Sequence, residues 1–306
     1  MPLLERVEKI FMEFKWCVDT ESMKLKVFLK EQGVSKKLLA KVKFQGGLLY
    51  VNNEIRNTLF EVSQGDLVTM IIPDEGEHET LLPDDSFLDV VYEDEHLLVV
   101  NKPNGVASIP AQYHPKGTMA NRVKHHYNKH QYVDRVVHVV TRLDRDTTGL
   151  MLFAKHGFAH AMLDKQLRSG ELKKYYTALV SGKIEQLEEF ARIDLPIGRD
   201  MTSIIKRQVT EDGQQAVTDY WLEKKTNKVA FVRIQLHTGR THQIRVHFSA
   251  IGCPLLGDSM YDGNMHLGIE RQALHCTRLE LKHPFTGEKI VLEQELPEDM
   301  RALLND

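Results

Sequence analysis

The sequence predicts an α+β protein built on a mixed, mainly antiparallel sheet with peripheral helices, preceded by a small α/β unit. Three observations carry that expectation. Short apolar runs bounded by Gly, Asn, Asp or Pro recur along the chain, as at Leu48–Val51, Leu67–Ile72, Leu97–Asn101 and Ala230–Leu236. Helical spacing is confined to isolated stretches: Met23–Gln32, Lys36–Phe44, Met119–Tyr127 and Gly157–Arg168. No GxGxxG strand–helix unit and no GxxxxGK[ST] loop occurs, which argues against dinucleotide-binding and phosphate-loop architectures.

A chain of 306 residues can bury a sizeable core and form about two or three domains. With 42% apolar and 27% charged residues its composition is that of a soluble protein. No run reaches the length of a membrane span, and the N-terminal MPLLERVEKIF lacks the pattern of a signal peptide. Cys17, Cys253 and Cys276 are too few and too scattered for a disulfide framework or a cysteine metal site. A cytoplasmic protein is expected. No coiled-coil or symmetry signal is present, so a monomer is expected.

The net charge of −3 hides an asymmetry. Residues 74–95 carry ten acids and no Lys or Arg; setting them aside leaves 40 basic residues against 33 acids. The chain therefore divides into an N-terminal extension (1–22), a basic unit (23–73), an acidic linker (74–86) and a larger domain (87–306). In the extension, Leu4, Val7, Phe11 and Phe14 fit either a helix or a strand. In the basic unit, Ser35 is placed to cap Lys36–Phe44, and Gly46-Gly47 to end it. Lys24, Lys26, Lys30, Lys36, Lys37, Lys41 and Lys43 stud the two helices against one acid, Glu31. Such a face suits a nucleic-acid backbone, although charge alone also fits a merely solvated face. Residues 34–53, VSKKLLAKVKFQGGLLYVNN, with the following QGDLV, resemble the S4-type RNA-binding fold.

In the larger domain, Leu97–Asn101 leads into the turn Lys102-Pro103-Asn104-Gly105. Two apolar runs, Val136–Val140 and Leu150–Ala154, bracket the polar turn Arg142-Leu143-Asp144-Arg145-Asp146-Thr147-Thr148-Gly149. Two strands would then hold a carboxylate on a loop. The residues alone leave a catalytic turn and a solvated surface turn equally open. Leu172–Val180 reads as a strand on which Lys174 and Tyr176 share a face. Residues 191–218 hold Arg199, Lys206 and Arg207, in a substrate-contacting hairpin or an exposed loop. Thr238–Phe248 also reads as a strand, with Gln243, Arg245 and His247 on one face. His114, His125, His126, His130, His156 and His160 have no partners in a metal-ligand pattern.

Taken together, Arg142-Leu143-Asp144-Arg145-Asp146-Thr147-Thr148-Gly149, Lys174-Tyr175-Tyr176 and Thr238-Gly239-Arg240-Thr241-His242-Gln243-Ile244-Arg245 resemble the motifs of the RluA-type pseudouridine synthases. The resemblance extends over about residues 24–290, with Gly257–Tyr261 and Arg271–His275 as scaffold segments. It implies that Asp144 is the nucleophile, that Arg245 pairs with it, and that Tyr176 lies against the target base and takes part in proton transfer. Arg142 and Lys174 are implied RNA contacts. Thr141 stands where the family frequently has His, and Thr148 replaces a common Ser while keeping the hydroxyl.

The implied reaction breaks the N1–C1′ bond of uridine, turns the base and joins C5 to C1′. It requires no metal and no redox cofactor. Attack at C1′, attack at C6 and removal of the C2′ proton remain open as the role of Asp144. A uridine inside folded RNA must be flipped out to react. Structured RNA is the expected partner, with large-subunit ribosomal RNA ahead of transfer RNA, and no membrane is expected. Two alternatives differ in class: an S4-type RNA-binding or ribosome-assembly protein without catalysis, and a carboxylate-dependent glycosidic hydrolase. The second would need a partner carboxylate, for which Asp146 is the candidate.

Overall fold

The computed structural model describes residues 12–77, 80–111 and 115–304. Leu4, Val7, Phe11, Glu79 and His114 lie outside the described residues. Two sheets organise the chain. The first is four-stranded: β1 (Met12–Cys17), β4 (Leu67–Ile72), β2 (Leu48–Val51) and β3 (Glu54–Ile55), in that order and all antiparallel. Helices α1 (Leu25–Glu31) and α2 (Lys36–Phe44) bury Leu25, Phe28, Leu29, Leu38 and Val42 in the same core as this sheet. The Ser35 side chain accepts from the Leu38 N–H, as its position before α2 predicts. Met12–Cys17 of the expected N-terminal extension pair along β4 as β1, so this unit begins before residue 23.

The second sheet has ten strands. Its main path uses β5 (Asp89–Glu93), β6 (Leu97–Lys102), β7 (Thr148–Ala154), β8 (Lys173–Val180), β9 (Phe190–Asp194), β10 (Val217–Lys225), β11 (Ala230–Leu236) and β12 (Leu274–Lys282). The spatial order is β9-β10-β11-β8-β12-β7-β6-β5. β13 (Lys289–Glu293) adds to β12, and the short strand His138–Val139 adds to β7. Among the described residues of this sheet only β7 and β12 pair in parallel; the sheet is mixed and mainly antiparallel, as expected. β7 is buried along its whole length, which is why it reads as a continuous apolar run rather than an alternation.

α3 (Met119–Lys129), α4 (Gly157–Ser169), α5 (Gln243–Ala250) and α6 (Glu298–Ala302) surround this sheet. α5 overturns the expectation of a strand at Thr238–Phe248. The Gln243 side chain accepts from Arg240 N–H and from the Thr238 hydroxyl, and donates to Val217 O and Thr218 Oγ1. These tertiary bonds wind the chain into a turn before the helix. Ile244 and Phe248, one helical turn apart, then enter the main core, while Val246 packs beside Tyr261.

The two sheets meet at an aromatic seam. The Phe14 ring of β1 lies 5.0 Å from both the Phe158 ring of α4 and the Phe285 ring. Beside it, the acidic segment is a tether rather than a free linker. Glu75 receives Lys41 Nζ at 3.2 Å, faces His138 Nε2 at 2.6 Å and accepts from Gly157 N–H at 3.2 Å. Lys41, expected on the RNA-facing surface, is therefore committed to this junction; Lys24, Lys26, Lys30, Lys36, Lys37 and Lys43 are exposed. Burial alone would raise the Glu75 pKa, but His138 and then Lys41 outweigh it and bring it from the ordinary 4.5 to about 2.

A depressed carboxylate stabilises the folded chain above its unfolded pKa, and that contribution fades as pH falls through the folded one. Glu75→Gln should cost about 2 kcal/mol near neutral pH. Urea unfolding at a series of pH values should show the gap to the parent closing between about pH 4.5 and about pH 2. A gap independent of pH would contradict this role for Glu75.

Candidate active site

The turn 140–147 leaves the short strand His138–Val139 and returns as β7, and buried side chains fix nearly every step of it. Ser108 holds Leu143 from both sides: its hydroxyl donates to the Leu143 carbonyl at 2.6 Å and accepts from its N–H at 2.9 Å. Lys102, fully buried, donates to the carbonyls of Pro103 (2.9 Å), Val106 (2.6 Å) and Arg145 (2.6 Å). All three ammonium protons are thus used to tie the turn after β6 to the turn bearing Asp144. Burial pulls the Lys102 pKa down to about 7, against the opposing charges of Asp146 and Asp144.

Thr141, the departure from the resemblance, has a structural explanation. Its hydroxyl accepts from Leu152 N–H at 2.9 Å, pinning the start of the turn to β7. Thr148 keeps a hydroxyl that meets His275 Nδ1 at 2.7 Å. Gly149 has φ +105°, and a Cβ there would collide with the Cys276 carbonyl of the parallel neighbour β12. Only glycine lets the turn pass so close to that strand.

Asp144 sits at the apex, and Arg245 reaches it from the first turn of α5, with Nη1 3.2 Å from Asp144 Oδ2. The other edge of the same guanidinium grips Asp258, Nε to Oδ2 at 2.6 Å and Nη2 to Oδ1 at 2.8 Å. The Asp144 side chain is 28% exposed, whereas those of Arg245 and Asp258 are 7% and 1% exposed. The carboxylate that faces the cavity is thus held by a buried ion pair behind it. Burial opposes the Arg245 charge, and the two carboxylates outweigh it, raising the pKa.

His242 completes this wall. It adopts the left-handed conformation (φ +57°) and brings Nε2 to 3.9 Å from Asp144 Oδ2. Its Nδ1 lies 2.9 Å from the Tyr261 hydroxyl, which itself accepts from Arg207 N–H. Nδ1 and the Tyr261 hydroxyl thus share a hydrogen bond, which fixes the ring with Nε2 towards Asp144. Burial lowers the His242 pKa, so the ring is neutral at pH 7.

A cavity of about 430 Å³ opens in front of Asp144. Lys174 and Tyr176, on one face of β8 as the strand reading required, form part of its wall. Burial drives the Tyr176 phenol well above its ordinary pKa, helped by Cys276 and Asp144, so it stays protonated. Arg142 is exposed at the mouth. Among the described residues, Asp144 is the only carboxylate lining the cavity. Asp146 does not join it; it turns away to pair with Arg145 Nε and Nη2 at 2.9 Å each.

The three separate stretches singled out in the sequence thus surround one cavity whose centre is a single carboxylate. Residues 96–250 match the RNA pseudouridylate synthase family. The chain belongs to that family. It is 46% identical over 282 residues, 92% of this chain and 98% of the other, to the Bacillus subtilis (strain 168) protein named Uncharacterized RNA pseudouridine synthase YjbO. It is 38% identical over 272 residues to the Pseudomonas aeruginosa protein named Ribosomal large subunit pseudouridine synthase D, covering 85% of this chain and 83% of that one. A solved human structure, RNA Pseudouridylate Synthase Domain Containing 4, superposes with a TM-score of 0.57 at 25% identity, covering 71% of this chain and 92% of that chain. The protein is accordingly an RNA pseudouridine synthase, and the RluA-type resemblance holds.

Ser108, His242 and Asp258 carry site functions that sequence reasoning did not assign. Ser108 gives no sequence signal, since nothing in its neighbourhood marks it as a partner of Leu143. Asp258 belonged to a stretch expected to be scaffold, and its work is indeed to hold Arg245. Asp258→Asn would remove the charge that fixes the far side of Arg245 while keeping the shape. The single-turnover isomerisation rate should fall about 10- to 100-fold. RNA affinity, measured by filter binding, should be unchanged; weaker binding at the parent rate would refute this positioning role.

Proposed function

We propose that this synthase converts specific uridines of large-subunit ribosomal RNA to pseudouridine, with Asp144 as the nucleophile. The observation that carries the reading is the lone cavity-facing carboxylate held by a buried arginine. A nucleophile needs an anionic oxygen fixed in direction, and a guanidinium fork anchored on a second carboxylate supplies that. The absence of a second carboxylate from the described cavity lining disfavours the glycosidic hydrolase alternative, which would need one to activate water.

The remaining roles follow from position. The target uridine leaves its stack and enters the cavity, and Arg142 at the mouth contacts the RNA or fills the space it vacates. Tyr176 packs on the base. As a protonated phenol it acts in proton transfer by relay through its hydroxyl rather than as a standing phenolate. The exposed lysines of α1 and α2 support reading the N-terminal unit as an S4-like RNA-binding module that contacts phosphates and shape. The ribosomal substrate is supported by the name of the Pseudomonas relative.

The test uses unmodified transcripts of large-subunit ribosomal RNA and, separately, transfer RNA, labelled with tritium at uridine C5. The parent protein should release tritium from the ribosomal transcript, and Asp144→Ala should release none. Release by the variant at the parent rate would end the nucleophile assignment. Release from transfer RNA alone would end the ribosomal assignment.

A further inference from the structure

The proposed reaction creates an anion that the groups described so far do not neutralise. When the N1–C1′ bond breaks, its electron pair stays with the uracil and spreads over N1, O2 and O4. C1′ either bonds to an Asp144 oxygen or becomes unsaturated as the C2′ proton is lost to it. Later C5 bonds to C1′ while the Asp144–C1′ bond breaks or, in the unsaturated branch, the C2′ proton returns from Asp144; C5 then gives up its proton and N1 takes one. The balance is complete without an oxidant or reductant, but the departing base carries a full negative charge in between.

Most cations of the cavity wall are committed. Arg245 is divided between Asp144 and Asp258. Arg145 is paired with Asp146; Arg240 has no ion pair among the described residues, and its Nε is tied to Gln215 O. Burial lowers the His242 pKa, and Arg142 is exposed at the mouth. Lys174 differs. It is partly buried, two residues from Tyr176 on the same face of β8. Among the described residues its ammonium makes no hydrogen bond and no ion pair. It is held between β8 and the turn at Gly239, where even a Cβ would come within 3.6 Å of Nζ.

We infer that the Lys174 ammonium binds a carbonyl oxygen of the flipped uracil and neutralises the base as it leaves C1′. This deepens the proposed function and rests on it. Burial without a partner lowers the Lys174 pKa, an unfavourable state that an arriving anion relieves. A cation kept for charge that exists only during the reaction accelerates the chemical step rather than binding.

The experiment measures single-turnover rates and RNA affinity for the parent, Lys174→Met, Lys174→Arg and Asp144→Ala. It uses the transcript from which the parent releases tritium, made with uridine or with 5-fluorouridine. Cleavage of N1–C1′ is read by mass spectrometry of nuclease digests. Lys174→Met should slow uridine cleavage about 100-fold. The loss should be several-fold smaller with 5-fluorouridine, whose fluorine stabilises the leaving anion. RNA affinity should hold, and Lys174→Arg should recover part of the rate. Equal losses on both substrates, weaker affinity at an unchanged rate, or no effect would each overturn the inference. If Lys174→Met does not melt cooperatively, a Lys174→Arg rate that falls equally on both substrates overturns it as well. Parental activity in Asp144→Ala would instead remove the underlying reading, so the two failures are distinct.

Discussion

The site depends on one guanidinium shared between two carboxylates. Arg245 spends its Nε and Nη2 on Asp258, which is sealed from solvent, and turns Nη1 to Asp144. A buried arginine without a partner is costly, and with one carboxylate its far edge would lack a partner. With both, it becomes a rigid link between α5 and the turn bearing Asp144. The Asp144 side chain can then face the cavity without drifting. The arrangement requires a helix at Gln243–Ala250, because Arg245 must project from a fixed turn behind the cavity while Ile244 and Phe248 enter the core.

The rest of the fold brings these pieces into register. The parallel pairing of β7 and β12 at Gly149 and Cys276 sets where the turn bearing Asp144 ends. The antiparallel pairing of Tyr176 with Cys276 then brings β8 alongside the same point. Lys102 and Ser108 close the turn from the other side through backbone atoms alone. Backbone carbonyls bonded to a buried lysine constrain geometry without adding a competing negative charge to the cavity.

Much of this was legible in the chain, for physical reasons that also explain what was not. Leu48–Val51, Leu67–Ile72 and Ala230–Leu236 matched their expected bounds, because local alternation and flanking turn residues specify a half-buried strand. The Ser35 cap was equally local. The strand expected at Thr238–Phe248 became a helix because alternation over a short stretch fits both periods, and bonds from Gln243 to β10 decided between them. Lys41 looked like its neighbouring lysines until Glu75, 34 residues away, claimed it. Asp144 and Arg245 lie 101 residues apart, and only the motif resemblance linked them before the geometry did. Asp258, Ser108 and Lys102 act through contacts that no local pattern encodes.

Arg245, buried and bonded to Asp144 and Asp258, is placed to position a carboxylate rather than to contact RNA. Arg245→Lys keeps the charge but cannot grip two carboxylates at once. The most direct measurement is the single-turnover isomerisation rate of this variant beside its RNA dissociation constant. The rate should fall about 100-fold while the dissociation constant stays within about threefold of the parent. A variant that binds RNA poorly yet reacts at the parent rate once bound would contradict the account.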